Sequence, residues 1–130
     1  MIRGIELESI ALALTLAETG HLVLATLHTP NAAQTIDRIV DVFPPQQQSQ
    51  VRLQLSLSLR AIIAQRLLPK KGGGRIASRE ILVRTPAVSN IIRENRLVEL
   101  NSVLQTGGSD GMISFEKDLK RLVKEGVVEG

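Results

Sequence analysis

The chain of 130 residues has no cysteine, no tryptophan and no tyrosine, and only two phenylalanines and two histidines. Without thiols there can be no disulfide framework and no thiolate zinc site, a composition that fits a reducing compartment. Without aromatic platforms, a surface for stacking single-stranded nucleic acid has little to work with. No apolar run approaches the roughly 20 residues of a membrane span. The opening Met1-Ile2-Arg3-Gly4 leads directly into an amphipathic segment, with no signal-peptide core, so a soluble, unexported chain is expected. A phosphate-binding loop of the form GxxxxGK[ST] is also missing, which excludes a self-sufficient nucleotide hydrolase of that type.

What remains is an ordinary globular composition. Apolar residues make up 43% and charged residues 22%, enough for one hydrophobic core without covalent staples. The net charge is only +3, yet Arg60, Arg66, Lys70, Lys71, Arg75, Arg79 and Arg84 crowd into one stretch whose single acid is Glu80. Such a run reads as a solvated face or as a surface docking on an acidic neighbour rather than as a nucleic-acid site.

Periodicity gives the elements. From Glu6 to Thr19, Leu7, Ile10, Ala11, Leu14 and Ala17 recur at helical spacing, with Gly20 placed to cap the end. His21 to Leu27 is apolar on both faces, the pattern of a buried, parallel strand. Thr29 offers a hydroxyl cap and Pro30 a first-turn proline, which predicts a second helix from there to Pro44-Pro45, with Ile36, Ile39, Val40 and Phe43 on one face. Val51, Leu53, Leu55, Leu57 and Leu59 alternate as in a strand, but their residue types and the stripe Val51, Leu55, Leu59, Ile62 favour a helix. Ala61 to Leu68 and Arg75 to Val83 read as an antiparallel hairpin around a glycine-rich turn. Thr85-Pro86 opens a set of short helices divided by Gly107-Gly108 and Gly111, the last carrying Phe115, Leu119, Leu122 and Val123 on one face and ending near Gly126.

Two features invite a chemical reading. Gly72-Gly73-Gly74 is followed by Arg75-Ile76-Ala77 rather than by the lysine and hydroxyl of a phosphate loop, so it is expected to be a hairpin turn. The run Thr19-Gly20-His21-Leu22-Val23-Leu24-Ala25-Thr26-Leu27-His28-Thr29 puts one histidine at each end of the predicted strand. His28, with Thr26 and Thr29, falls where a strand's C-terminal end meets a helix N-terminus, a place suited to a polar or anionic ligand. A lone strand-end histidine is also compatible with a purely structural role. No histidine spacing suggests a metal site or a nucleophilic triad.

The run Thr19 to Pro44 resembles the His box of the secretion-superfamily hexameric ATPases, specifically the pilus retraction (twitching motility, PilT-type) branch. Leu57 to Lys70, Gly72 to Leu82, Thr85 to Glu94 and Ser102 to Met112 resemble the same branch in the same order. The resemblance implies an α/β fold: the C-terminal part of a RecA-like core over residues 1–84, with the His box and basic hairpin, then a small all-helical domain over 85–130. It implies that His28 faces the γ-phosphate region, with Thr26, Thr29 and Arg38 shaping the same switch and His21 opening the box. Glu80 matches a family glutamate, expected to be a structural or coupling residue paired with Arg75 or Arg79. Ala87, Val88, Ser89, Asn90, Ile91, Ile92, Arg93 and Glu94 match a motif linked to retraction, with Val88, Ser89 and Ile91 departing from the pattern and a charged contact missing at Ser89.

The resemblance further implies ATP and Mg²⁺ as cofactors of the intact family member, a hexameric ring, an inner-membrane pilus platform protein as partner and a cytoplasmic location at that membrane, with no nucleic acid and no metal site of the chain's own. Ile2-Arg3-Gly4-Ile5-Glu6 stands where the family has its Mg²⁺-holding strand and acidic segment, and only Glu6 keeps an acid. The chain is therefore expected to be a C-terminal part that binds no nucleotide tightly and turns over no ATP alone. An unpaired His21 to Leu27 strand would favour a dimer or strand exchange. The alternatives are a nucleotide-independent module binding ring subunits or pilus-base proteins, and the pilus assembly or type II secretion branch; the latter carries a cysteine-rich zinc insertion where this chain has the short turn Pro69 to Gly74.

Overall fold

The computed structural model describes residues 7–129. Six α-helices surround a two-stranded antiparallel sheet, in the order α1 (Leu7–Glu18), α2 (Ala32–Asp41), α3 (Pro45–Ser58), β1 (Ala61–Pro69), β2 (Arg75–Val83), α4 (Pro86–Arg93), α5 (Leu100–Thr106) and α6 (Phe115–Lys124). Short 3-10 turns at Leu97–Glu99 and Gly108–Asp110 flank α5. The α/β class read from the sequence holds. The expected start of α1 at Glu6 and the segment Ile2 to Glu6 lie outside the described residues.

Helix α1 buries Ile10 and Leu14 and stops where the sequence places a glycine. Gly20 adopts φ +95°. His21 N–H returns to the carbonyl of Leu16 and Gly20 N–H to that of Ala17, the paired bonds that satisfy a helix's last acceptors. In α3 the helical period wins over the alternating one: Val51 and Leu55 are buried while Leu53 and Leu57 face solvent. Pro45 occupies its first turn, where the missing N–H costs nothing. The hairpin runs in register from Ala61 opposite Val83 to Pro69 opposite Arg75. Gly72, Gly73 and Gly74 all take positive φ in its turn, a conformation that side chains resist.

Ile36, Leu82, Val88, Ile92 and Leu100 are almost wholly buried at the centre of one apolar cluster. That cluster joins α1, α2, α3 and the sheet to α4 and α5, so it runs across position 84. Further ties cross the same position: Ile81 and Ile113 exchange backbone hydrogen bonds of 2.8 and 3.0 Å, and Lys71 N–H donates to the carbonyl of Val127 at 2.8 Å.

Three expectations are corrected. His21 to Leu27 is no buried strand: it joins no ladder, and Leu22 and Leu24 are 82% and 87% exposed. A strand requires a partner to receive its N–H and C=O groups, and among the described residues none lies beside it. The second helix starts at Ala32 rather than at Pro30, because Asn31 is the cap and its side-chain oxygen accepts from Gln34 N–H at 2.8 Å. On α6, Asp118 takes the inward place between Phe115 and Leu122, and Leu119 stays 41% exposed. Three hydrogen bonds offset the burial of Asp118: the N–H of Arg79 on β2 donates to it at 2.8 Å, and Arg121 donates to it twice, at 3.0 and 2.9 Å.

Candidate functional site

The loop that enters α2 and the outward face of that helix enclose an open cleft of about 670 Å³. Leu27, His28, Thr29 and Pro30 form one wall, and Gln34, Asp37, Arg38 and Asp41 the other. The helical wall follows from spacing: positions 34, 37, 38 and 41 share one face of a helix whose opposite face buries Ala32, Ile36 and Val40 in the core. Thr29 is tied into the helix start. Thr35 Oγ1 donates its single proton to the carbonyl of Asn31 at 2.8 Å, so Thr29 is the donor in the 2.6 Å contact between the two hydroxyls. The lone pairs of Thr29 remain for a ligand.

Of the residues proposed from the sequence, His28, Thr29 and Arg38 come together in this cleft. Thr26 is exposed and outside its lining. His21 belongs to the end of α1, where its Nδ1 lies 3.2 Å from the hydroxyl of Thr19. Gln34, Asp37 and Asp41 were missed, although their spacing from Arg38 would have put them on its face. Arg38 and His28 can offer hydrogen bonds to a phosphate, and the flanking carboxylates of Asp37 and Asp41 restrict how much negative charge the cleft accepts. Among the described residues no cluster of three or more His, Cys, Asp or Glu side chains could hold a metal ion.

The helix N-terminus itself is differently engaged than the sequence suggested. Ala32 N–H donates to Oε1 of Glu80 at 3.0 Å, and the amides of Gln34 and Thr35 are taken by the side chain and carbonyl of Asn31. The anion at this helix end is thus a carboxylate of the protein. Glu80 is 7% exposed and pairs with neither Arg75 nor Arg79, which corrects the expected ion pair. The reason is the period of a strand: residues 75 and 79 project from the opposite face of β2 to residue 80. Glu80 opposes Ala64, on the face that also buries Ile62 and Leu82.

The segment Ala87 to Glu94 forms most of α4 and its cap, with Thr85 Oγ1 accepting from Val88 N–H at 3.2 Å as anticipated. Val88, Ile91 and Ile92 are core residues, while Ala87, Asn90, Arg93 and Glu94 face outward. Arg93 donates to Asn90, and Glu94 pairs with Arg96 at 2.9 Å. Ser89 is buried: its hydroxyl donates to the carbonyl of Ser56 at 2.8 Å and accepts from Arg84 Nε at 3.0 Å. A charged contact therefore exists at Ser89, supplied by Arg84. Arg66, another of the clustered basic residues, lies 4.0 Å over the ring of Phe115.

A family model described as "Type II/IV secretion system protein" matches residues 2–72. The type IV pilus retraction ATPase PilT of Pseudomonas aeruginosa is 54% identical over 123 residues, covering 95% of this chain and 36% of the relative. A twitching motility protein of Neisseria gonorrhoeae is 56% identical over 93% of this chain and 33% of its own length. Among solved structures, the pilus retraction motor PilT with bound ADP superposes with a TM-score of 0.84 at 48% identity, over 95% of this chain and 34% of that one. The Legionella pneumophila ATPase DotB gives 0.80 at 30% identity, over 96% of this chain and 34% of that one. The chain spans about a third of the length of these relatives.

Proposed function

Because the chain belongs to the Type II/IV secretion system protein family, we propose that it forms part of a ring-shaped ATPase motor that powers type IV pilus retraction and twitching motility. Within that motor, the cleft of His28, Thr29 and Arg38 faces the terminal phosphate of the nucleotide. One observation carries the reading: His28 and Thr29 on the loop and Arg38 on the helix line a single cleft beside α2. The same three residues fit the phosphate end of ATP, to which each can donate or share a proton. ATP bound there supplies the phosphoanhydride whose cleavage drives motion, and Mg²⁺ balances its charge. The chain itself offers neither a GxxxxGK[ST] loop nor, among its described residues, a carboxylate cluster for the ion. Those parts come from elsewhere in the motor.

On this reading residues 1–84 belong to the RecA-like core and residues 85–130 to a helical domain, with Ala87 to Glu94 serving retraction. The partners are further copies in a hexameric ring and an inner-membrane pilus platform protein. The location is the cytoplasmic side of that membrane, in keeping with the lack of any described helix long and apolar enough to cross it. A second reading, a nucleotide-independent module binding ring subunits, draws on the outward apolar residues Leu22, Leu24, Ile63 and Leu67.

The two readings part in a chimera. The region of the Pseudomonas aeruginosa retraction ATPase that matches this chain is replaced by the present sequence, and twitching is scored in a strain lacking the native motor. The motor reading expects restored twitching and Mg²⁺-dependent ATP hydrolysis. A chimera that assembles normally but hydrolyses nothing would favour the interaction module.

A further inference from the structure

We infer that Glu80 is a positioning residue: from β2, its buried carboxylate fixes the first turn of α2 and thereby the pose of the cleft that His28, Thr29 and Arg38 line. The bond from Ala32 N–H to Glu80 Oε1 spans 48 positions of sequence. It adds a polar tie between the inward face of the hairpin and the start of the helix to the apolar packing of Ile36 with Ile62 and Leu82 in the core.

Several observations make this more than a filled acceptor. Glu80 is buried, yet among the described residues none of the ion pairs includes it. A buried carboxylate needs compensation, and here the partly positive amide end of α2 provides it. The local cap is already spent, since the side chain of Asn31 serves Gln34 and its carbonyl serves Thr35. Ala32 N–H therefore depends on a distant residue. Ala32 itself is fully buried, and Glu80 reaches it from an open cavity of about 390 Å³ that it lines with Asn31, Ala33 and Arg66, so only water would stand in for the carboxylate if it were removed.

The consequence reaches the cleft through rigid parts. Gln34, Asp37, Arg38 and Asp41 ride on α2, and Thr29 is hydrogen-bonded to Thr35 in its first turns. A shift of the helix start relative to the hairpin moves both walls. Placement of the hairpin and pose of the cleft are thus one mechanical unit, whatever the cleft binds.

The test uses the whole chain labelled with ¹⁵N and ¹³C, comparing wild type with Glu80→Ala, Glu80→Gln and Glu80→Asp. Glutamine keeps the acceptor at the same reach, whereas aspartate keeps the charge one methylene short. In Glu80→Ala and Glu80→Asp, the Ala32 amide should exchange roughly tenfold or more faster, as expected on losing a charge-assisted bond. The His28 imidazole and Thr29 amide resonances should move with it, while the Ile92 and Leu100 amides keep their exchange rates within about threefold. Glu80→Gln should return Ala32 and His28 to near their wild-type positions. Unmoved His28 and Thr29 signals in the alanine or aspartate variant would overturn the inference. So would uniformly faster exchange throughout the core, or a glutamine variant that behaves like alanine. Should Glu80→Ala not fold, the aspartate and glutamine pair decides alone.

Discussion

Three buried polar side chains, Glu80, Ser89 and Asp118, join elements, each through a partner on another one. Asp118 holds α6 to β2 through Arg79 N–H and to its own helix through Arg121. Burial pushes the Asp118 carboxyl up, but the Arg79 amide, the Arg121 guanidinium and the Ser78 hydroxyl together hold it below the ordinary carboxylate range. A carboxyl depressed in the folded state stabilises the fold above its unfolded pKa of about 4, and that contribution is lost as pH falls through the folded value. Asp118→Asn should therefore cost about 1–3 kcal/mol at pH 7. In urea titrations the gap from wild type should narrow steadily once pH drops below about 4. A gap that widens in acid would show that the charge of Asp118 is not what matters. Ser89 acts similarly at the junction of α3, α4 and Arg84. Ser89→Ala leaves the Ser56 carbonyl with only the longer 3.3 Å bond from Arg84 Nε and should cost about 1–2 kcal/mol by the same titration.

Among the elements, α3 offers the cleanest check of helix against strand. Leu55→Ala should cost about 2–5 kcal/mol, whereas Leu57→Ala should stay within about 0.5 kcal/mol, because only Leu55 reaches the core. Equal losses at the two positions would point to the alternating pattern instead. At the start of α2, Asn31→Ala should remove about 1 kcal/mol as a lost cap. The elements legible in the sequence are those fixed by local chemistry. The hairpin announced itself through Gly72 to Gly74, α4 through Thr85-Pro86, and the end of α1 through Gly20. What escaped depended on distant partners. His21 to Leu27 has the composition of a buried strand but no neighbour among the described residues to complete it. Asp118 sits where an apolar residue would be expected, because β2 supplies its hydrogen bonds. Glu80 looked like the partner of nearby arginines until strand alternation is applied, and its actual partner lies 48 positions away. In the cleft, His28, Thr29 and Arg38 were visible as a motif, while Gln34, Asp37 and Asp41 belong to it only through the helix face they share.

At the scale of the molecule, Leu22 and Leu24 leave apolar surface open on the segment that leads into the cleft. Exposed apolar surface of this kind promotes association. Sedimentation at rising concentration should show the chain self-associating, and Leu22→Ser with Leu24→Ser should weaken that association. A wild-type chain that stays monomeric at high concentration would contradict this. The same segment carries His28, so in the proposed motor contact with neighbouring polypeptide and sensing of nucleotide would fall on one stretch of chain. In the proposed motor, His28 and Arg38 act on the nucleotide's terminal phosphate. The most direct measurement is ATP turnover by the retraction-motor chimera carrying this sequence, with and without His28→Ala. The substitution should lower kcat by roughly 10²-fold, the scale of a lost charge-stabilising donor, while ring assembly is unchanged. An assembled His28→Ala chimera that hydrolyses ATP at the unsubstituted rate would contradict it.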